Sequence, residues 1–140
     1  MIEISVKIDK NGNWFINNEP VKHERISLFL TRAIVKENTG YYLKIKNEKI
    51  PIEVEDTPYI VKQVLHKNGK FLLLLNDGTT EVLNPSTLEV GRENVLYCKI
   101  KEDAKARFSR PAYYQIAEHI RQDPEGYFII VEGKKFYIKA

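Results

Sequence analysis

The chain has 140 residues, about one domain's worth at roughly 150 residues per domain, with 43% hydrophobic and 29% charged residues. That balance excludes a disordered tail, a collagen-like chain and a helical membrane protein, and the length disfavours separate cofactor and substrate domains. Lys plus Arg number 22 against 19 Asp plus Glu, a net charge of +3 that lacks the uninterrupted basic stripe of a nucleic-acid binder.

Ile2, Ile4, Val6 and Ile8 alternate with polar residues, which predicts a half-buried strand over 2–8. Asp9 to Asn13 is a turn with Gly12 free to take positive φ, and Trp14-Phe15-Ile16 a short returning strand. Ile26, Phe29, Leu30, Ala33 and Ile34 then fall on one stripe, which predicts an amphipathic helix over about 22–37, with Trp14 packed on it. Strands at 41–45 and 50–54 follow, the second carrying Pro51 and therefore at an edge or irregular at its start. Residues 59–83 read as a β-meander with tight turns at Asn68-Gly69 and Asp77-Gly78, and 71–75 is apolar enough to be covered on both faces. Residues 84–94 read as a loop and 95–100 as a strand. Ser109 caps a second helix with Pro111 in its first turn, and Tyr113, Ile116, Ala117 and Ile120 form its apolar stripe. Strands at 127–131 and 136–138 end the chain.

The two ends of the chain resemble each other. Gly40 to Ile52 aligns without a gap on Gly126 to Ile138 at an offset of 86, and the helical stripes superpose at 87. The expected fold is therefore α+β, with two related helix-plus-antiparallel-sheet units and a β-rich middle. The division is placed at 1–57 and 58–140, two closely packed units sharing or abutting one core.

Three segments carry a family resemblance. Ile8-Asp9-Lys10-Asn11-Gly12-Asn13-Trp14-Phe15 with Pro20-Val21, then Ile52-Glu53-Val54-Glu55-Asp56-Thr57-Pro58-Tyr59, then Ala106-Arg107-Phe108-Ser109-Arg110-Pro111-Ala112-Tyr113-Tyr114 resemble the bacterial DUF1285 proteins, in that family's order. The Val54-Glu55-Asp56 segment is the most specific of the three. The resemblance implies an α+β protein with two similar sub-domains and supplies no reaction and no catalytic residues.

Candidate ligand-binding residues are Glu55, Asp56, Tyr59, Arg107, Arg110 and Tyr114. Arg107 and Arg110 precede a helix N-terminus, where free N–H groups attract an anion and the guanidinium supplies bidentate geometry. A second class of reading is a small hydrolase or transferase using the Glu53, Glu55 and Asp56 carboxylates as acid and base. His23, His66 and His119 lack the spacing of a zinc motif, and no metal or cofactor is expected. The lone Cys98 sits in an apolar run and reads as a core residue. No signal-peptide pattern opens the chain, so a cytoplasmic location is expected. The favoured function is a non-enzymatic binding module for a small anion or a protein partner, sited at the seam between the two units, where the Glu55–Asp56 and Arg107–Arg110 segments are expected to meet.

Overall fold

The computed structural model describes residues 3–140, so Ile2 lies outside the described residues. The chain opens with β1 (Val6–Ile8), β2 (Trp14–Ile16) and β3 (Glu19–Pro20), an antiparallel meander. Asp9 builds the first turn: its Oδ1 accepts the backbone N–H of Asn11 at 2.9 Å and of Asn13 at 2.8 Å. Gly12 takes φ +84°, and a Cβ there would stand 2.8 Å from Ile60 Cγ1, so only glycine lets the turn seat against the middle of the chain.

Helix α1 spans Glu24–Arg32 and stops short of the 37 that the apolar stripe predicts. Residues Ile34–Glu37 form β4 instead, because Ile34 and Val35 gain a strand partner in β5 (Gly40–Ile45). The stripe also misjudges the buried face. Leu30 and Thr31 are buried, whereas Ile26 and Phe29 are about half exposed. A buried polar link sets this rotation: Trp14 Nε1 donates to Thr31 Oγ1 at 2.9 Å, and that hydroxyl donates onward to the Ser27 carbonyl at 2.8 Å. The expected packing of Trp14 on the first helix is present, through Thr31. Next, β6 (Glu48–Pro51) closes a three-stranded meander as its edge strand, the position Pro51 tolerates. β7 (Glu53–Val54) then returns to pair in parallel with β1.

The central sheet is built from β8 (Tyr59–Lys67), β9 (Lys70–Leu75), β10 (Thr80–Val82), β11 (Glu89–Val90), β12 (Leu96–Ile100) and β13 (Ala104–Phe108), in the order β10-β9-β8-β13-β12-β11. Asn68 and Gly69 both take positive φ and make the tight turn expected. Asp77-Gly78 also sits in a tight turn, one residue longer than a two-residue hairpin: Gly78 takes φ +83°, its N–H donates to the Leu75 carbonyl at 3.0 Å, Leu75 N donates to the Thr79 carbonyl at 2.9 Å, and the Asp77 side chain accepts from Thr79 N and from Lys101 Nζ at 2.8 Å. Along β9, Phe71, Leu73 and Leu75 are buried but Leu72 and Leu74 are half-buried, so the run is fully covered on one face only. The 84–94 segment contains β11 and two 3₁₀ turns where a loop was expected. Strand β13 was hidden inside a basic stretch, yet Ala104, Ala106 and Phe108 alternate inward in strand period. Cys98 on β12 is buried, and burial pushes its thiol pKa up to about 12, so it is an inert core residue.

Helix α2 spans Arg110–Ala117, with Ser109 Oγ accepting from Ala112 N at 3.2 Å as the cap and Pro111 in the first turn. It ends before Ile120, which starts β14 (Ile120–Asp123); β15 (Gly126–Val131) and β16 (Lys134–Tyr137) complete a second three-stranded meander. Each bound of β14–β16 is that of β4–β6 plus 86, and Gly40 and Gly126 share φ 140°. The buried helix residues Leu30 and Ile116 also differ by 86, one less than the apolar stripes suggest. A single apolar cluster runs from Val6 to Val131 through both segments. Among the described residues no helix is long and apolar enough to cross a membrane.

Asp77 links three parts of this architecture. Arg32 Nε of α1 donates to its carbonyl at 2.9 Å, Lys101 pairs with its carboxylate, and the carboxylate is only 5% exposed. Burial alone would raise its pKa, but the hydrogen bonds from Lys101 and Thr79 outweigh that and hold it below the usual carboxylate range. A depressed folded pKa means stability present above the unfolded value near ~3.9 and lost as pH falls through the folded one. Asp77→Asn is expected to cost about 2 kcal/mol at neutral pH, and urea melts at descending pH should show the gap to wild type closing in acid.

Candidate functional site

The pairing of β13 beside β8 creates the site. Phe108 lies level with Val61, and Ser109 N donates to the Val61 carbonyl at 3.0 Å, so α2 begins directly over β8. The β1–β2 turn, seated on Ile60 through Gly12, approaches the same point from the start of the chain. Between them is a cavity of about 310 Å³ lined by Lys10, Asn11, Ile60, Arg107, Phe108, Ser109 and Arg110. Three of its lining residues are cations and none is acidic, and the first turn of α2 adds the partial positive charge of its free N–H groups.

The acidic segment stands behind this cavity and does not line it. Glu55 Oε1 accepts the backbone N–H of Lys10 at 2.7 Å, which fixes the turn that carries the Lys10 side chain. Asp56 Oδ2 accepts from Arg107 Nη1 at 3.0 Å and from the Tyr97 hydroxyl at 2.8 Å. Burial and the Asp56 carboxylate raise the Tyr97 pKa, keeping that hydroxyl a donor. Glu53 lies at 3.7 Å from Lys7 on the adjacent strand. The three carboxylates thus face three separate partners rather than one another.

The two segments singled out in the sequence therefore touch, through Asp56 and Arg107, but only Arg107 and Arg110 line the cavity. Tyr59 is buried elsewhere, under Lys101, whose Nζ lies 5.5 Å from its ring centroid; burial first, then Asp77, pushes its pKa up to about 12. Tyr114 is exposed and meets Tyr113 edge to face at 5.8 Å, outside the cavity. Lys10 and Asn11 were not among the candidates. Their turn is legible at Asn11-Gly12, but its seat on β8 arises from a contact across 48 residues that no local pattern encodes.

The chemistry available is that of anion capture. Arg107 is oriented by Asp56, while among the described residues no carboxylate lies within ion-pair distance of Lys10 or Arg110. Ser109 is committed in both directions, accepting from Ala112 N and donating to the Lys62 carbonyl at 3.2 Å. A separate cavity of about 330 Å³ is lined by His66, His119, Arg121 and Glu132, the two imidazole centroids 4.5 Å apart. Among the described residues no group of three or more His, Cys, Asp or Glu is arranged to hold a metal ion.

No protein-family model matches the chain, and no curated protein matches it at significance. Two solved structures do. A DUF1285 family protein from Silicibacter pomeroyi DSS-3 superposes with a TM-score of 0.83 at 16% identity, covering 99% of this chain and 81% of that one. A DUF1285 family protein from Shewanella baltica OS155 superposes at 0.69 and 14% identity, covering 82% and 91%. At these identities the likeness concerns architecture, and the chain has the fold of the DUF1285 family proteins.

Proposed function

We propose that this protein is a non-enzymatic binding module whose basic cavity holds a small anionic group. The observation that supports the reading is the acid-free lining of Lys10, Arg107 and Arg110 at the start of α2. Glu55 and Asp56 serve as buttresses in it, holding the Lys10 backbone and the Arg107 guanidinium. The hydrolase or transferase reading finds no support, since Glu53, Glu55 and Asp56 diverge and the Ser109 hydroxyl is engaged as a cap. The proposal treats the two helix-plus-meander segments as copies of one unit, on the strength of element bounds that recur at 86. It also treats the protein as cytoplasmic.

A thermal-shift panel of phosphate, pyrophosphate, citrate and nucleotides tests the proposal. An anion at about 100 times its dissociation constant should add about 2.7 kcal/mol of stability. Arg110→Gln should abolish the shift without lowering the melting temperature of the free protein. Silence across the panel contradicts the proposal.

A further inference from the structure

The basic cavity adjoins a second cavity, and that one a third, through shared lining residues. Asn11 lines both it and a cavity of about 500 Å³ bounded by α1. Leu28, Lys62 and Asn76 line both that second cavity and a third of about 430 Å³ that reaches α2 at Pro111 and Gln115. These three adjoining cavities, together a trough, are bordered by β8, the β1–β2 turn, α1 and the start of α2.

Its chemistry changes along its length. The first cavity presents Lys10, Arg107 and Arg110. The second presents Lys22 and Lys62 among Asn11, Asn13, Ser27 and Thr31. The third is apolar at Leu28, Leu74, Leu75 and Pro111, with the amides of Gln63 and Gln115 beside them. Five cations line the three cavities against one carboxylate, Glu24, in a chain whose basic and acidic totals are 22 and 19. Among the described residues only Arg107 of the five has an ion-pair partner. The excess of cations over carboxylates along the lining favours an anionic ligand.

We infer that the trough takes an extended acidic peptide segment of a partner protein, with carboxylates along the cationic two thirds and an apolar side chain at the Leu28–Pro111 end. The Asn11 and Asn13 amides and the Ser27 hydroxyl in the middle match a peptide's own N–H and C=O groups, while the Thr31 hydroxyl is already committed to Trp14 and Ser27. An anionic amphiphile fits less well: with its headgroup in the first cavity, its hydrocarbon would lie across Lys22 and Lys62, and burying apolar surface against charged groups forfeits their hydration. This inference rests on the proposed anion site and names its ligand class.

The test is fluorescence anisotropy with a labelled peptide carrying glutamates at one end and leucines at the other, its reversed sequence, and a glutamine-for-glutamate control. Unlabelled pyrophosphate serves as competitor, and anionic lipid vesicles as a separate arm. One of the two peptide directions should bind about tenfold more tightly than pyrophosphate and be displaced by it. Lys62→Gln, a change at an exposed position, should weaken the peptide about fivefold and leave pyrophosphate binding unchanged. Peptide binding no tighter than pyrophosphate, or indifferent to Lys62→Gln, overturns the extended trough while leaving the anion site standing. Vesicle binding without peptide binding overturns it likewise. Failure of pyrophosphate itself overturns the anion site and this inference with it.

Discussion

Trp14→Ala is expected to destabilise the protein by about 3–5 kcal/mol, the range for removing a large buried aromatic side chain. Trp14 is fully buried and is the largest of the fully buried side chains. Its removal opens a cavity between the first sheet and α1 and strands the Thr31 hydroxyl, which keeps its donation to Ser27 but loses its only donor. Trp14→Phe separates the two effects: it retains most of the apolar contact and loses the hydrogen bond, so a cost of about 1–2 kcal/mol is expected. Urea unfolding followed by far-UV circular dichroism checks both, since the variants lack the only tryptophan. The same hydrogen bonds tie the strand that follows the Asn11–Asn13 turn to Thr31 and through it to Ser27, so Trp14→Phe should also weaken ligand binding in the trough. A cost below about 1 kcal/mol for Trp14→Ala would mean that the indole is not what holds α1 in place.

Ile116→Ala should cost about 2–5 kcal/mol, because Ile116 is fully buried under α2 where that helix lies on β8. The helix has a second attachment one residue earlier. Gln115 Oε1 accepts from Val64 N at 2.7 Å, just past the bulge at Val61/Gln63 where β8 slips register against β9. Loosening the apolar contact therefore shifts the base of the helix that presents Arg110. Chemical denaturation gives the stability term, and a smaller pyrophosphate-induced thermal shift at saturating ligand gives the positional one. Leu30→Ala on α1, the buried residue 86 positions earlier, should fall in the same stability range. Its effect on pyrophosphate should be smaller, since α1 contributes nothing to the first cavity.

Much of the fold could be read from the chain, and the misses share a physical cause. Strand Val6–Ile8 with its period-two alternation, the apolar β-leaning stretches of Tyr59–Lys67, and helix α2 with Ser109 and Pro111 at its start carry their own local signals. Helix α1 ends earlier than the stripe predicts because Ile34, which continues the stripe, pairs with β5 as strand together with Val35. Its buried face was misassigned because Thr31 is polar and its burial depends on Trp14, 17 residues away. Strand β13 carries Lys105 and Arg107 on its outer face, and these charges obscure the inward alternation of Ala104, Ala106 and Phe108. The site followed the same rule. Arg107 and Arg110 were legible from their place before a capped helix, and Asp56 from its neighbours, but Lys10, Lys22 and Lys62 reach the trough only through long-range packing.

An anion in the basic cavity is tested most directly by isothermal titration of pyrophosphate into the wild-type protein, Lys10→Gln/Arg110→Gln and Arg25→Gln. Arg25 is an exposed residue of α1 that lines none of the three trough cavities, so its variant controls for overall charge. The double variant should lose at least about tenfold in affinity and Arg25→Gln less than about twofold. Equal losses in the two variants, or undiminished binding in the double variant, would contradict an anion site at Lys10 and Arg110.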